Sequence, residues 1–116
     1  MVTRGDVGWA PDPFTTDSGN PRAWLVLADE SLPYPDQESM AVAFTTQSHH
    51  PGSFAVPDEV WTSGNPGTQS FVLPWTVATL TNELHVVGVQ GTVSGEFTNR
   101  VVIATVSFLE GEAPES

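Results

Sequence analysis

Short apolar runs separated by turn-forming residues make up most of the chain. The run over residues 22–28, RAWLVLA, is nearly continuous, which is typical of a strand buried on both faces. Shorter runs predict further strands at 5–9, 40–44, 53–56, 70–73, 84–89 and 90–93. The segments 10–21 and 57–69 are rich in Pro, Gly, Asp and Thr, so we predict that both are loops. The pattern as a whole predicts a mainly β fold.

The last apolar segment, residues 94–111, is compatible with either a helix or a strand. Its β-branched stretch VVIATVSF favours a strand. Four apolar residues, however, recur at helical spacing, namely Phe97, Val101, Ala104 and Phe108. Ser94 can cap the start of a helix and Gly111 can end it. We predict a helix that plugs one open end of a small, strongly curved β-barrel of about six to seven strands.

The size of the chain sets the number of domains. With 116 residues, 39% of them hydrophobic, it can form one compact core, so we predict a single domain over 1–116. The core is expected at about 4–110 and a frayed tail at 111–116. No apolar run approaches the ~20 residues that a membrane span needs, and the N-terminus does not resemble a signal peptide. We therefore expect a cytoplasmic protein with no membrane contact.

The charge balance is strongly acidic. There are 14 acidic residues, three arginines and no lysine, which gives a formal charge of −11. Such a chain would repel nucleic acid at ordinary ionic strength. A lysine-free acidic surface is also expected of a protein from a salt-saturated cytoplasm, where the Debye length falls to ~3 Å or less. The composition therefore predicts a salt-adapted protein and makes each arginine conspicuous.

Several classes of site are excluded or find no support. The chain contains no cysteine, which excludes disulfides, thiolate metal sites and cysteine nucleophiles. No stretch has the spacing of a phosphate loop, a dinucleotide fingerprint or a nucleophile elbow. Kinase, dehydrogenase and serine-hydrolase functions are thus not indicated, and we expect no cofactor.

Arg22 and two threonines are candidates for binding a phosphate. Arg22 opens a strand directly after a loop, where a rigid scaffold can aim a side chain at a ligand. Its guanidinium could hold a phosphate or stabilise charge developing on one; a surface ion pair with Asp17 or Asp29 is the competing interpretation. Thr45 and Thr46 end another predicted strand. Their hydroxyls could donate to phosphate oxygens, or they could simply close the strand.

The histidines are the side chains suited to proton transfer near neutral pH. His49 and His50 are adjacent in a loop, which more often means solvated polar surface. A metal site would need a third ligand from His85 or a distant carboxylate, and adjacent side chains rarely converge on one ion. We expect no metal site.

Four tryptophans are many for so short a chain, so some must lie in the core. An exposed tryptophan could stack a nucleobase, which is worth ~1–3 kcal/mol regardless of net charge. Trp61 and Trp75, beside the segments GNPGTQ and LPWT, are the candidates for such stacking.

Taken in order, the stretches RGDVGW, RAWLVLADES, VAFTTQS, SFAV, FVLPWTVATL and VGVQGTVS resemble the PemK/MazF family of toxin endoribonucleases over nearly the whole chain. In that family the first strand is a GDV-type stretch ending in Trp, the second opens with Arg-Pro followed by an apolar run, and the third ends in Thr-Ser or Thr-Thr. Residues 5–9, Arg22, and Thr45 with Thr46 match these features. Each motif is weak alone, but their order and spacing make the resemblance specific.

The resemblance implies a barrel that dimerises, binds single-stranded RNA in a groove near the dimer interface and is neutralised by a small antitoxin. It also implies metal-independent cleavage through attack of the ribose 2′-hydroxyl on the adjacent phosphate. Transferred by position, Arg22 would act as general acid or stabilise the phosphorane, and Thr45 with Thr46 would fix the scissile phosphate. Phe54 matches a position near the RNA in some members.

Two features of the family are missing. Members often carry a Gly-His-Glu-Gln-type stretch in the first loop and an Asp-Gln pair near the fifth strand, where this chain has SGNPR and Pro74-Trp75. His49 or His50 could supply the missing base. Trp75 could stack a base where the family uses Asp, which would alter the sequence preference.

Three interpretations follow. The first is a salt-adapted, sequence-selective endoribonuclease toxin that acts as a homodimer. The second is a catalytically inactive barrel that binds single-stranded RNA or a protein, which fits the absent histidine and aspartate. In the third, the acidic surface docks a basic protein partner and RNA is irrelevant.

Overall fold

A computed structural model of the chain describes residues 2–11, 21–48, 50–65, 67–81 and 88–112. These residues form seven strands and one α-helix: β1 Asp6–Pro11, β2 Pro21–Ala28, β3 Glu38–Thr45, β4 Phe54–Val56, β5 Trp61–Gly64, β6 Ser70–Thr81, β7 Gly88–Val93 and α1 Gly95–Leu109. All seven strands belong to one antiparallel sheet with the order β4-β6-β3-β2-β1-β7-β5. No helix among the described residues is long and apolar enough to cross a membrane.

The sheet curls into a half-barrel. Three strands separate β3 from β5 in the sheet, yet the rings of Phe44 and Trp61 meet edge to face with their centroids 6.4 Å apart. Register shifts interrupt four of the strand pairs, and such bulges increase local twist and bending. The predicted mainly β fold of six to seven strongly curved strands with a C-terminal helix is confirmed.

Side chains on the two faces of the sheet form two buried clusters. Leu25 and Val42 belong to one cluster, and their chain neighbours Trp24 and Ala41 belong to the other, as the period of two along a strand requires. Phe97 of α1 joins the first cluster, so the helix packs onto one face of the curled sheet. The continuous apolar run in β2 is explained, because both faces of that strand are buried.

The predicted helix forms, and local signals fix both of its ends. Ser94 is the N-cap, and its hydroxyl accepts a hydrogen bond from the Phe97 amide at 3.2 Å. At the other end Gly111 has φ +83°, its amide donates to the Phe108 carbonyl, and the Glu112 amide donates to that of Ser107. These two hydrogen bonds together form a Schellman motif. Capping and burial of the apolar stripe therefore outweigh the β-preference of the segment. Of the predicted frayed tail, residues 113–116 lie outside the described part.

Two predicted boundaries are wrong. The segment 57–69 was expected to be a loop, but its residues Trp61–Gly64 form the edge strand β5. This strand approaches β7 closely where Gly64 adopts φ +64° and where Gly91 has no side chain. The strand expected over 70–73 continues to Thr81. Of the strand predicted over 84–89, only Gly88 and Val89 are described, and most of the predicted loop 10–21 also lies outside the described residues.

β6 continues past Pro74 because side-chain hydrogen bonds replace part of its backbone pairing with β3. Between the pairs Ala43↔Leu73 and Ala41↔Ala78 the register shifts, so β6 carries extra residues opposite β3. The Thr76 hydroxyl accepts from the Ala43 amide at 2.8 Å and donates to the Leu73 carbonyl at 2.7 Å. From α1, the buried Thr105 hydroxyl donates to the Pro74 carbonyl at 2.8 Å. These contacts satisfy backbone groups that the bulge removes from the sheet.

Replacing Thr105 by valine is expected to lower the free energy of unfolding by about 1–2 kcal/mol, because the isosteric change leaves the buried Pro74 carbonyl without its donor. Chemical denaturation followed by circular dichroism measures the effect. Thr79→Val is the matched control, at an exposed position of β6, the strand that contains Pro74. It should change stability by less than ~0.5 kcal/mol. Equal effects in the two variants would show that the bond across to α1 contributes nothing.

Candidate active site

A groove opens where several strands end or begin. Its volume is about 780 Å³, and residues from β1, β2, β3, β6 and β7 line it. Arg22, Thr45 and Thr46 are among the lining residues. We call it the strand-end groove. The three residues singled out in the sequence thus meet in one cavity.

Strand pairing explains why they meet. In the β2–β3 ladder Trp24 pairs with Ala43, and continuing this antiparallel register by two residues brings Arg22 opposite Thr45. On the other side Arg22 pairs with Ala10 of β1. Trp24 is fully buried and its indole N–H donates to the Ala10 carbonyl at 3.3 Å. The backbone that carries Arg22 is therefore held by β1 on one side, and two residues further on, at Trp24, by β3 on the other.

The Thr45 hydroxyl is arranged so that it can donate to a ligand. Its oxygen accepts a hydrogen bond from the Gln47 amide at 3.2 Å, which turns the chain at the end of β3. A hydroxyl that accepts in this way keeps its proton for a second partner. Thr46, the next residue, is exposed. The end of β3 thus presents two hydroxyl donors beside a guanidinium.

The charge of the groove differs from that of the chain. Although the protein carries 14 acidic residues, no carboxylate lines the groove among the described residues, and Arg22 is its only charged lining residue there. Opposite charges attract strongly in a cavity with a low effective dielectric constant, and a nearby carboxylate would weaken that attraction. Among the described residues, the lining of the groove therefore carries one positive charge and no negative charge.

Several other residues that line the groove were not predicted from the sequence. Gln47, Thr68, Ser70 and Gln90 supply neutral hydrogen-bonding groups, and Trp9 supplies an aromatic ring that is 37% exposed. Gln47, Gln90 and Trp9 stand in stretches that carry the family resemblance, but the sequence analysis assigned them no role in a site. Thr68 lies in a segment predicted to be a loop. Its place in the groove follows from pairing between strands far apart in the chain.

The histidine candidates occupy a different position. His50 is half-buried in a shallow depression with Ser53 and Phe54, next to the strand-end groove along the chain. Its carbonyl accepts from both the amide and the hydroxyl of Ser53, at 3.1 and 2.7 Å. His49 and His85 lie outside the described residues.

The three aromatic candidates are not among the described residues that line the groove. The Phe54 ring lies 4.6 Å from the Arg100 guanidinium and packs edge-on against Phe97 in α1. Trp61 is half-buried against Phe44. Trp75 is 39% exposed, and its ring meets that of Phe108 at 5.5 Å. Phe54 and Trp61 thus pack against the core, and Trp75 packs against the helix.

Comparisons with known proteins find a likeness in structure. No family model matches the sequence, and no curated protein matches it. An endoribonuclease in complex with its cognate antitoxin, from a mycobacterial species, superposes with a TM-score of 0.66 at 17% identity, covering 98% of this chain and 100% of that one. A second mycobacterial endoribonuclease gives 0.61 at 16% identity, covering 98% of this chain and 95% of that one. The chain therefore has the fold of the PemK/MazF-like toxin barrel, as the sequence predicted.

Proposed function

We propose that this chain is a metal-independent, sequence-selective endoribonuclease that cleaves single-stranded RNA. The observation that carries the proposal is the meeting of Arg22, Thr45 and Thr46 in a groove without a carboxylate among its described lining residues. Support also comes from the fold, which is shared with two endoribonucleases of very low sequence identity. The groove offers the charge and the donors that a phosphodiester requires.

The proposed reaction is a transesterification within the RNA. The ribose 2′-oxygen attacks the adjacent phosphorus, so that a 2′-O–P bond forms while the bond from phosphorus to the 5′-oxygen breaks. The 2′-hydroxyl proton passes to a base, and the departing 5′-oxygen takes up a proton. Arg22 stabilises the charge that grows on the non-bridging oxygens, and Thr45 with Thr46 holds the phosphate in line. The products are a 2′,3′-cyclic phosphate and a 5′-hydroxyl.

The general base is proposed to be His49 or His50. Both follow the phosphate-binding threonines within a few residues, and His50 lies in the adjoining depression. Replacing both by alanine is expected to lower the cleavage rate about 100-fold, since general-base catalysis contributes 10²–10⁴-fold. An unchanged rate would remove the histidines from the mechanism.

The decisive test is cleavage of a long single-stranded RNA in molar KCl with EDTA present. We expect cuts at a few sites, each leaving a 2′,3′-cyclic phosphate. An oligomer of the same sequence with 2′-deoxyribose should remain intact, because it lacks the nucleophile. If a folded protein binds the RNA without cutting it, the alternative of a catalytically inactive binding module is correct. That alternative is favoured by the absence of the family's loop histidine and strand aspartate.

The thermal unfolding midpoint is expected to rise with KCl concentration. With 14 acidic residues against three arginines, the folded chain repels itself, and salt shortens the Debye length from ~10 Å at 0.1 M to ~3 Å at 1 M. Circular dichroism melts over a series from low to molar KCl measure the midpoint. A midpoint that falls as KCl is added would contradict the proposed adaptation to salt.

A small antitoxin and a homodimer complete the proposal. The antitoxin is supported by the first structural neighbour, which was solved in complex with its own cognate antitoxin. A short reading frame beside the gene for this chain should encode the inhibitor, and its product should suppress RNA cleavage at equimolar ratio. Analytical ultracentrifugation in molar KCl is expected to give twice the 12.4 kDa mass of one chain.

A further inference from the structure

Trp9 is flanked by two small residues in the sheet. It pairs with Ala23 of β2 on one side and with Gly88 of β7 on the other. Among the described residues, no atom lies within 4 Å of a methyl group placed at Gly88, so that part of the structure leaves space beside this residue. Trp75 has almost the same exposure, 39% against 37%, but its ring packs on Phe108. Trp9 thus combines an exposed ring with open space in the wall of the strand-end groove.

A bulge in β7 brings a polar side chain into the same groove. Gly8 pairs with Val89 and Val7 pairs with Gly91, so Gln90 is the extra residue of β7. Bulges re-aim side chains and are common beside functional sites. The edge strand β5 packs closely against this bulge. A methyl group at Gly64 would lie only 2.4 Å from the Gln90 carbonyl oxygen. Gln90 lines the groove and is half-buried.

We propose that Trp9 and Gln90 form a binding site for one unpaired nucleobase. The base stacks on the exposed indole ring in the space beside Gly88. The Gln90 amide, which carries both donors and an acceptor, bonds to the edge of that base. This inference rests on the proposed function, because it takes the ligand of the groove to be single-stranded RNA.

Arg22 and Trp9 are placed to hold the phosphate and the base of one nucleotide. Arg22 and Trp9 both line the strand-end groove. A phosphate held at Arg22 in this groove would therefore have its adjoining base in the same cavity as the Trp9 ring. A base in a duplex is already stacked and paired, so the site selects single strands. Specificity resides in Gln90, because stacking itself tolerates every base.

Binding can be tested separately from cleavage with RNA that cannot react. The probes are four single-stranded 2′-fluoro homo-oligonucleotides of A, C, G and U, together with an oligomer of abasic nucleotides that keeps only the backbone. Tryptophan fluorescence in molar KCl reports both affinity and stacking. We expect at least one of the four to quench the fluorescence and to bind more tightly than the abasic oligomer.

Two variants should remove the stacking in different ways. Trp9→Leu deletes the ring, and Gly88→Leu fills the space beside it while the ring remains. Each is expected to weaken binding of the preferred oligomer roughly 5- to 100-fold, the range for one base stacked on an aromatic side chain, and to abolish the quenching. Neither should alter binding of the abasic oligomer. Gln90→Ala is expected to keep the quenching and to reduce the preference among the four bases.

The outcomes separate this inference from the proposed function. If Trp9→Leu weakened binding of the base-bearing and the abasic oligomers equally, the base site would be wrong. It would also be wrong if the quenching were lost in Trp75→Leu but kept in Trp9→Leu. Unchanged cleavage rates and sites in Trp9→Leu would also overturn it while leaving the endoribonuclease intact. Base-dependent quenching through Trp9 without cleavage of natural RNA would support the site and reject catalysis.

Discussion

Replacing Arg22 by alanine is expected to reduce RNA cleavage at least about 100-fold, with the protein still folded. Removing one preorganised donor from the position where negative charge develops typically costs 10²–10³ in rate. Arg22 is the only charged side chain among the described residues that line the strand-end groove, so none of those residues replaces its charge. Arg22→Lys should keep the charge and lose the bidentate geometry, and we expect an intermediate rate.

Arg4→Ala is the matched control for the change in net charge. Arg4 is exposed and its guanidinium donates to Asn99 on α1, so it stands apart from the groove. The variant should cleave RNA at the parental rate, measured under the same molar KCl. If Arg4→Ala lost as much activity as Arg22→Ala, the loss would reflect overall charge, and the proposed role of Arg22 would be wrong.

Replacing Gly91 by alanine is expected to destabilise the protein by about 3 kcal/mol or more, at the upper end for overpacking. The added methyl group would lie 2.5 Å from the Ser63 backbone oxygen and 3.0 Å from the Trp61 ring. A backbone atom cannot rotate away as a flexible side chain can, so β5 and β7 must separate. For a domain of this size the thermal midpoint should fall by roughly 10 °C.

Gly88→Ala adds the same methyl group to the same strand. No atom of the described residues lies within 4 Å of it there, and we expect a change of less than ~0.5 kcal/mol. Melts of the two variants in molar KCl provide the comparison. Similar thermal midpoints for the two variants would mean that β5 does not pack closely against β7 in solution. Any folded Gly91→Ala protein should also bind base-bearing oligomers more weakly, because Gln90 precedes the displaced residue.

The sequence predicted those features that depend on local patterns. Both faces of β2 are buried, so its apolar run could be recognised without knowing its partners. The helix could be recognised because Ser94 and Gly111 carry the capping signals within the segment itself. Arg22 and Thr45 were found because they stand at strand ends, and the register between β2 and β3 then places them together.

The missed features depend on pairing between distant segments. β5 consists of Trp, Thr, Ser and Gly beside a Gly-Pro-rich stretch, and only its contact with β7 makes it a strand. The extension of β6 beyond Pro74 requires hydroxyls from Thr76 and from Thr105 in the helix. Trp9 and Gln90 line the same groove, with Gln90 placed by a bulge, and a register shift leaves no trace in the pattern of apolar residues. Trp61 and Trp75 were favoured instead because they neighbour turn-rich segments.

The pairing of the first strand with the last has a consequence for synthesis of the protein. β1 lies between β2 and β7, so some residues that line the strand-end groove are made by the ribosome well before others. A nascent chain that still lacks residues 88–93 has neither the β7 wall nor Gln90. Under the proposed function, a groove assembled in this order would stay incomplete until β7 has been made, so a shorter nascent chain could not yet cleave RNA.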